Sequence, residues 1–246
     1  NPVAILRSIG LQRGKNDKVD AKRIAIYAMK NNDQAKLWEA PRKEVASLRQ
    51  LLNVRESLIK GLKALKQPIN EYEDTGNKKL SAQVKALTKN AVRGMEKDIE
   101  RAEQAIDELI KSDAQLSRLF GLLTSIPAIG KITSAELVCA TNEFKNYTEA
   151  RQLACYCGVA PFEHSSGISV RGKTRVSNMA NKKLKTKLHL CAIVAIQHDA
   201  ELKKYYERKV NEGKNKMSVI NAVRNKLVHR IAAVVKRQTP FVKIAA

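Results

Sequence analysis

The sequence FGLLTSIPAIGKITSAELVCA occupies residues 120–140 and predicts two helices joined by a tight turn. Pro127 and Gly130 supply the turn, because proline fixes one backbone angle and glycine tolerates angles that other residues avoid. The pattern is typical of a helix-hairpin-helix element, whose backbone N–H groups bind a phosphate without reading base sequence. Ile129, Gly130 and Lys131 are then the candidate nucleic-acid contacts. A purely structural αα-corner explains the same residues, and both interpretations stay open.

Residues 41–115, before this turn, predict two long helices. The first carries apolar residues at heptad spacing, at Val45, Leu48, Leu52, Ile59 and Leu62. The second has an apolar stripe through Val84, Leu87, Val92, Met95, Ile99, Ala102, Ile106 and Leu109. Pro68 and the polar segment around Gly76 predict a turn region between the helices. The pattern favours an antiparallel coiled-coil hairpin or dimerisation arm, with a plain helical bundle as the alternative.

The part of the chain after the turn also has helical periodicity. We expect helices over residues 142–157, with Thr148 as the N-cap, over residues 184–199 and over residues 218–236. The last of these should face solvent with its basic residues, which are Arg224, Lys226, Arg230, Lys236 and Arg237. The chain is therefore predicted to be mainly α, and residues 116–246 to form an all-α domain.

Between two of these helices lies PFEHSSGISVRGKTRVSNMANKKLKTK, residues 161–187, which has the composition of a loop. Ser165, Ser166 and Gly167 stand near its start, and residues 161–190 hold seven Lys or Arg and one acid. A hydroxyl facing many cations suits attack on a phosphodiester, because the cations hold phosphates and offset transition-state charge. A basic surface loop with turn serines is the simpler alternative.

Two carboxylates mark the N-terminal part of the chain, residues 1–40. Asp17 is predicted to be the N-cap of a helix, and Asp20 lies in its first turn, where the helix dipole favours an acid. Their spacing of three also places both carboxylates on one helix face, where they could share a divalent metal ion. The sequence leaves the structural and the metal-binding interpretations open.

Composition favours a nucleic-acid partner. The chain has 246 residues, with 46 Lys and Arg against 24 Asp and Glu and a net charge of +22. Such an excess is typical of proteins that bind nucleic acid. Aromatic residues make up only 4% of the chain, so phosphate contacts should outweigh base stacking. No apolar run is long enough for a membrane span, and we expect no membrane partner.

The four cysteines lack the paired spacing of a zinc site. Three of them fall among apolar residues of predicted helices. We therefore expect reduced core thiols in a cytoplasmic protein.

The order of these motifs resembles the transposases of the IS110/IS1111 insertion-sequence family. KNDKVDAKRIAIYA is followed by the helical arm, by LTSIPAIGKITSAELV, by YCGVAPFEHSSGISVRGKTRVSNMANKKLKTKL and by a basic terminal helix. The resemblance covers essentially the whole chain. Its strongest motif consists of Gly158, Val159, Pro161, Ser166, Gly167 and Asn181.

The resemblance implies three domains. Residues 1–40 would be the C-terminal part of a RuvC-like α/β domain with an Asp-Glu-Asp-Asp metal site. Residues 41–115 would be a coiled-coil dimerisation arm, and residues 116–246 a transposase domain with a catalytic serine. The implied partners are DNA (element ends and target), a structured guide or bridge RNA and further copies of the chain. The implied location is the nucleoid of a prokaryotic cytoplasm.

The resemblance also assigns the chemistry. Ser166 matches the nucleophile, with Ser165 as a neighbour that could replace it, and the implied reaction is DNA strand cleavage and exchange through a phosphoserine. Asp17 and Asp20 match the last two acids of the tetrad and would bind Mg²⁺. The first two acids are expected before Asn1, so we expect this chain to hold half of the Mg²⁺ site and to be inactive alone.

Basic residues of the C-terminal motif are the expected phosphate contacts, namely Arg171, Lys173, Arg175, Lys182, Lys183 and Lys185. At two positions the chain departs from the family pattern: Ala180 replaces a frequent Gly, and Lys185 replaces a frequent Arg. Lysine keeps the charge but loses bidentate geometry toward a phosphate. Two alternatives to a recombinase are a non-catalytic nucleic-acid-binding fragment of a decayed or truncated transposase, and a helical scaffold whose charge serves only solubility.

Overall fold

The computed structural model describes Ile5 and residues 16–34, 39–147, 149–166 and 170–242. At residues 34, 163–166, 170, 171 and 173 it describes the backbone alone. These described ranges hold nine α-helices and one two-stranded sheet, which confirms the prediction of a mainly α protein. The chain divides into two units, residues 1–40 and 41–246.

The first unit contains helix α1, Asp17–Lys30, and a short 3-10 turn at Asn32–Gln34. Its N-cap is Asn16, whose side-chain oxygen accepts a 2.9 Å hydrogen bond from the Val19 N–H. The prediction of Asp17 as the cap is therefore wrong by one residue, because the preceding asparagine already satisfies this N–H. Asp17 and Asp20 both lie in the first turn of the helix, as was predicted for Asp20 alone.

The second unit begins with a helical hairpin made of α2, Lys43–Asp74, and α3, Lys78–Ser112. The two helices pack along their length and run antiparallel. Arg55 pairs with Glu103 at 2.7 Å, and Lys66 pairs with Glu96 at 2.7 Å, so positions rise on one helix as they fall on the other. The predicted hairpin is thus present in the structure.

The turn of this hairpin is shorter than predicted. Pro68 lies inside α2, and the chain reverses only between Asp74 and Lys78. Proline normally ends a helix because it lacks an N–H and crowds the preceding turn. Here Ile69 is buried directly after it, so packing against α3 keeps the helix continuous. Leu87, which the apolar stripe placed inward, is 80% exposed.

The predicted helix pair around the Pro-Ala-Ile-Gly turn is confirmed. Helix α4 spans Ala114–Thr124 and helix α5 spans Lys131–Thr141. In the turn, Ala128 takes a positive φ of 70°. Helix α5 is buried along most of its length, where it packs on α2, on α4 and on a later helix. This pair therefore joins the arm to the C-terminal core.

Helix α6, Ala150–Tyr156, is much shorter than the predicted helix over residues 142–157. Asn142, Glu143 and Phe144 have φ angles of 50°, 58° and 65°, which a right-handed helix cannot contain. The predicted cap, Thr148, lies outside the described residues.

Three helices complete the core: α7, Lys182–His198, α8, Ala200–Asn211, and α9, Lys216–Arg237. The bounds of α7 and α9 agree with the predictions to within two residues, whereas α8 was not predicted. Helix α9 packs on α4, α6, α7 and α8 and is the centre of the C-terminal core. Asp199 caps α8 and pairs with Arg230 of α9 at 2.7 Å, which ties these helices together.

The segment predicted as a loop contains an antiparallel hairpin of two strands, β1, Pro161–Ser166, and β2, Val170–Val176. The prediction of an all-α C-terminal domain is wrong at this point. Alternate positions of β2 include Val170, Thr174 and Val176, which are residues that favour a strand. The cations between them obscure this alternation in the sequence.

The cysteines behave as predicted, since all four are free thiols and three of them are buried. Burial raises the pKa of Cys139 and of Cys157 to about 12, so both stay protonated at neutral pH. Within the described residues, no helix combines the length and the apolar character needed to cross a bilayer.

Candidate nucleic-acid interface

The β-hairpin places the predicted nucleophile at its far end. Pro161 pairs with Val176 at the base, and Ser166 pairs with Val170 at the tip. At about 3.3 Å per residue, the Ser166 backbone lies roughly 16 Å from the base. The chain then continues into Gly167, which lies outside the described residues, as do the side chains of both serines.

The base of the hairpin is held by two residues of the C-terminal motif, Gly158 and Asn181. Gly158 has φ +66°, and a Cβ atom there would lie 2.5 Å from the Cβ of Ala180. The Asn181 N–H donates to the Tyr156 carbonyl at 2.8 Å, and its side-chain oxygen accepts from the Leu184 N–H at 3.1 Å. Asn181 thus caps α7 and fixes the chain on both sides of the hairpin.

A groove of about 700 Å³ runs beside the base of the hairpin, between β2, α7 and α9. Its cations are Arg175 from β2, Lys185 from α7 and Arg224 from α9. Among the described residues that line this groove, none is an aspartate or glutamate. Three cations without a carboxylate make it attractive to an anion.

Adjacent lysines at the start of α7 differ in their surroundings. Lys182 is exposed, and no ion pair joins it to a described residue. Lys183 lies 2.6 Å from Glu56 of α2 and 2.8 Å from Glu136 of α5. Burial opposes the charge of Lys183, but the two carboxylates outweigh it and raise its pKa. Its ammonium therefore joins three helices, and Lys183 as a phosphate contact stays a prediction.

The hydrogen bond from Lys183 also affects its partner. Together with Lys60, it holds the pKa of Glu56 at about 2, well below the ordinary value. Glu56 is therefore ionised at every pH at which the protein is expected to work.

The turn before α5 has only some of its groups available to a ligand. Ile129 is buried, and its N–H donates to the Ile126 carbonyl at 3.1 Å. Gly130 is exposed at the start of α5, and no side chain caps that helix. Lys131 reaches Asp107 of α3 at 2.6 Å. Both the phosphate-binding interpretation and the structural corner are compatible with this geometry.

Arg171 and Lys173 belong to β2, but their side chains lie outside the described residues. Arg175, in the same strand, is exposed and lines the groove. The structure therefore brings Arg175 and Lys185 of the predicted contacts together in one site.

The two predicted metal ligands lie in the first unit, on α1. Asp17 is exposed, whereas Asp20 pairs with Arg23 at 3.2 Å. Two carboxylates one turn apart provide the oxygen donors that Mg²⁺ prefers, so they fit part of a magnesium site. No group of three or more His, Cys, Asp or Glu in the described ranges could hold a metal ion.

Arg224 is the site residue that the sequence prediction missed. It was expected on the outer face of α9 but is only 7% exposed. The signal was present in the spacing, because Ile220, Arg224 and Val228 are four residues apart and share the apolar stripe. The buried Nε of Arg224 has no hydrogen-bond partner among the described residues, and burial lowers the pKa of the guanidinium.

The chain is similar in sequence to known proteins, both in the segment that contains the hairpin and over almost its whole length. Residues 121–207 match the family described as Transposase IS116/IS110/IS902. The pilin gene-inverting protein of Moraxella bovis is 32% identical over 98% of this chain and 71% of its own length. The transposase for insertion sequence element IS1111A of Coxiella burnetii is 24% identical over 64% of this chain and 48% of its own length. The similarity to the Moraxella protein spans the α1 helix, the arm and the hairpin alike, and it shows that the chain belongs to the IS116/IS110/IS902 family of transposases.

Proposed function

We propose that this chain cleaves and rejoins DNA strands, with Ser166 as the nucleophile and a structured RNA selecting the DNA. One supporting observation is the similarity to a protein named for inverting a pilin gene. Inversion of a DNA segment requires that strands be cut and joined in a new order. The proposed location is the nucleoid, where the DNA substrate is found.

The observation that carries the proposal is the position of Ser166 at the tip of a hairpin whose base borders a groove lined, among the described residues, by three cations and no carboxylate. Cations at the base of the hairpin would hold the DNA strand through its phosphates and so position it for attack. The net charge of +22 acts in the same direction over longer distances.

The proposed reaction conserves the number of phosphodiester bonds. The Ser166 Oγ loses its proton and forms a bond to phosphorus, while one bridging P–O bond of the DNA breaks and that strand end leaves as a hydroxyl. The hydroxyl of another strand then attacks the phosphoserine, and the serine is released with its proton restored. No water or external energy source is consumed.

Asp17 and Asp20 are proposed to hold Mg²⁺, which supplies charge stabilisation to the reacting oxygens when bound. The pair of helices α2 and α3 is proposed as a dimerisation arm, because among the described residues only the start of α2 and the end of α3 contribute to the main cluster of buried hydrophobic residues, and the rest of the pair extends away from these positions along the chain. The contributing residues are Val45, Leu48 and Leu52 of α2 and Ile106 and Ile110 of α3. A dimer would supply the two active sites that strand exchange between two DNA segments needs.

The test is a search for the covalent intermediate. The protein, with any residues that its gene encodes before Asn1, is incubated with element-end DNA, guide RNA and Mg²⁺, and the products are separated under denaturing conditions. We expect a protein–DNA adduct that Ser166→Ala abolishes and that Ser165→Ala retains. An adduct that survives Ser166→Ala but not Ser165→Ala moves the nucleophile by one residue.

A matched pair of acids tests the metal site. Asp20 pairs with Arg23 at 3.2 Å, and Asp98 pairs with Arg101 at 3.2 Å, each three residues apart on a helix. We expect Asp20→Asn to abolish the Mg²⁺-dependent adduct and Asp98→Asn to leave it intact. Salt-dependent DNA binding without any adduct would instead favour the non-catalytic nucleic-acid-binding protein.

A further inference from the structure

Arg224 is a buried cation, and none of the described carboxylates pairs with it. It is 7% exposed, and its buried Nε has no hydrogen-bond partner among the described residues. A buried charge is normally paired, because removal from water is otherwise costly. Arg230, six residues later on the same helix, follows this rule and donates hydrogen bonds to Asp199 at 2.7 Å and to Glu201 at 2.6 Å.

The unpaired guanidinium lines the groove at the base of the hairpin, together with Arg175 and Lys185. Burial also lowers the pKa of Arg224, because removal from water opposes its charge. The groove is open and large enough for a phosphate with its attached sugar. An anion that enters it would meet three cations and, among the described residues of its lining, no acid.

We propose that Arg224 binds one backbone phosphate of the DNA in this groove, assisted by Arg175 and Lys185. The planar guanidinium offers two parallel donors, which match two oxygens of a phosphodiester. This inference rests on the proposed function, since it takes the ligand to be the DNA on which Ser166 acts.

The bound phosphate is a flanking one and differs from the phosphate that is cut. The groove borders Pro161 and Val176 at the base of the hairpin, whereas Ser166 ends β1 at the tip. The two places are roughly 16 Å apart at about 3.3 Å per residue of strand. Arg224 is therefore a positioning residue that sets where along the strand the serine meets the DNA.

The test compares Arg224→Met with Arg237→Met by titrating a fluorescent 20-base-pair DNA at several salt concentrations. Both variants lose one positive charge from α9, but Arg237 is exposed and outside the groove. We expect Arg224→Met to weaken DNA binding about tenfold and to lower the slope of log affinity against log salt by about one. Arg237→Met should leave the slope unchanged. Arg224→Lys, which keeps the charge but loses the fork, should fall between Arg224→Met and the unmodified protein.

Each outcome of these titrations supports or contradicts phosphate binding by Arg224. If Arg224→Met and Arg237→Met bind DNA alike while the unmodified protein binds well, the groove site is wrong and the proposed function stands. If the unmodified protein shows no salt-dependent binding to DNA, the proposed function fails as well. An RNA of the same sequence is titrated in parallel, and a loss confined to RNA overturns the assignment to DNA. If Arg224→Met fails to fold, Lys185→Met, which removes the α7 cation of the same groove, replaces it in the titration. An unchanged slope of log DNA affinity against log salt in Lys185→Met would then overturn the proposal.

Discussion

The guanidinium of Arg42 donates two parallel hydrogen bonds, each 2.9 Å long, to the carboxylate of Asp113. The same guanidinium donates two more, of 3.0 and 2.7 Å, to the carboxylate of Glu143, whose side chain is fully buried. Asp113 caps α4, and Glu143 lies in the left-handed turn after α5. One side chain at the start of α2 therefore fixes the arm to two points of the core.

Removal of this side chain should destabilise the protein. Arg42→Ala leaves the buried Glu143 carboxylate without its cation, and we expect a loss of about 3 kcal/mol in the free energy of unfolding. Arg42→Lys should recover only part of this, because an ammonium cannot form the paired hydrogen bonds. Urea unfolding followed by circular dichroism measures both. Arg101→Ala is the control: its partner is the exposed Asp98, and its cost should stay below about 0.5 kcal/mol. An equal cost for Arg42→Ala and Arg101→Ala would contradict the role given to Arg42.

Stability should fall in acid over a defined interval. The hydrogen bond from Arg42 lowers the pKa of Asp113 from 3.8 to about 2, and that from Lys183 lowers the pKa of Glu56 from 4.5 to about 2. A carboxyl whose pKa is lower in the folded than in the unfolded state stabilises fully above the unfolded pKa. We therefore expect a constant urea midpoint above about pH 5 and a decline from there toward pH 2. In Arg42→Ala the decline should be shallower, since Asp113 has lost the largest cause of its lowered pKa. An equally steep decline in this variant would exclude the Arg42–Asp113 pair as a source of the acid sensitivity.

Gly158 should not tolerate a side chain. Gly158→Ala adds strain at φ +66° and a Cβ that meets the Cβ of Ala180 at 2.5 Å, and we expect a cost of about 3 kcal/mol. In Gly158→Ala/Ala180→Gly the clash disappears, and about 1 kcal/mol of backbone strain should remain. Thermal unfolding measures both variants. Gly213→Ala is the matched control, because Gly213 has φ +82° with no atom within 4 Å of an added Cβ, and it should cost only about 1 kcal/mol. If the double variant is as unstable as Gly158→Ala alone, the close approach to Ala180 is not the cause.

The sequence predicted most of the helices because apolar residues at a spacing of three and four are a local signal. It failed where a distant contact decides the local structure. Pro68 stays helical because Ile69 is buried in the packing of α2 on α3. The hairpin of β1, Pro161–Ser166, and β2, Val170–Val176, was missed because the cations of β2 give the segment the composition of a loop.

For the candidate site too, the sequence predicted the local features and missed those that distant contacts decide. Sequence alone located the basic segment and the serine pair. It could not tell which cations are free, since the partners of Lys183 are Glu56 and Glu136, which are distant in sequence. Nor could it reveal that Arg224 is buried without a carboxylate partner among the described residues, because this depends on what α9 packs against.

Lys182 and Lys183 are neighbours with the same charge, and their contacts predict opposite effects of substitution. Lys182 is exposed at the positive end of the α7 dipole, so Lys182→Met should not lower stability. It should lower the slope of log DNA affinity against log salt by about one if Lys182 contacts a phosphate. Lys183→Met should instead cost about 1–2 kcal/mol of stability, a value reduced for the partial exposure of the lysine, because Glu136 loses its partner. Its salt slope should stay near that of the unmodified protein if the ammonium remains with its two carboxylates, and should fall by about one if Lys183 contacts a phosphate instead. Urea unfolding and the DNA titration are measured on the same preparations. If Lys183→Met lowers the salt slope and Lys182→Met does not, the Lys183 ion pairs open when DNA binds.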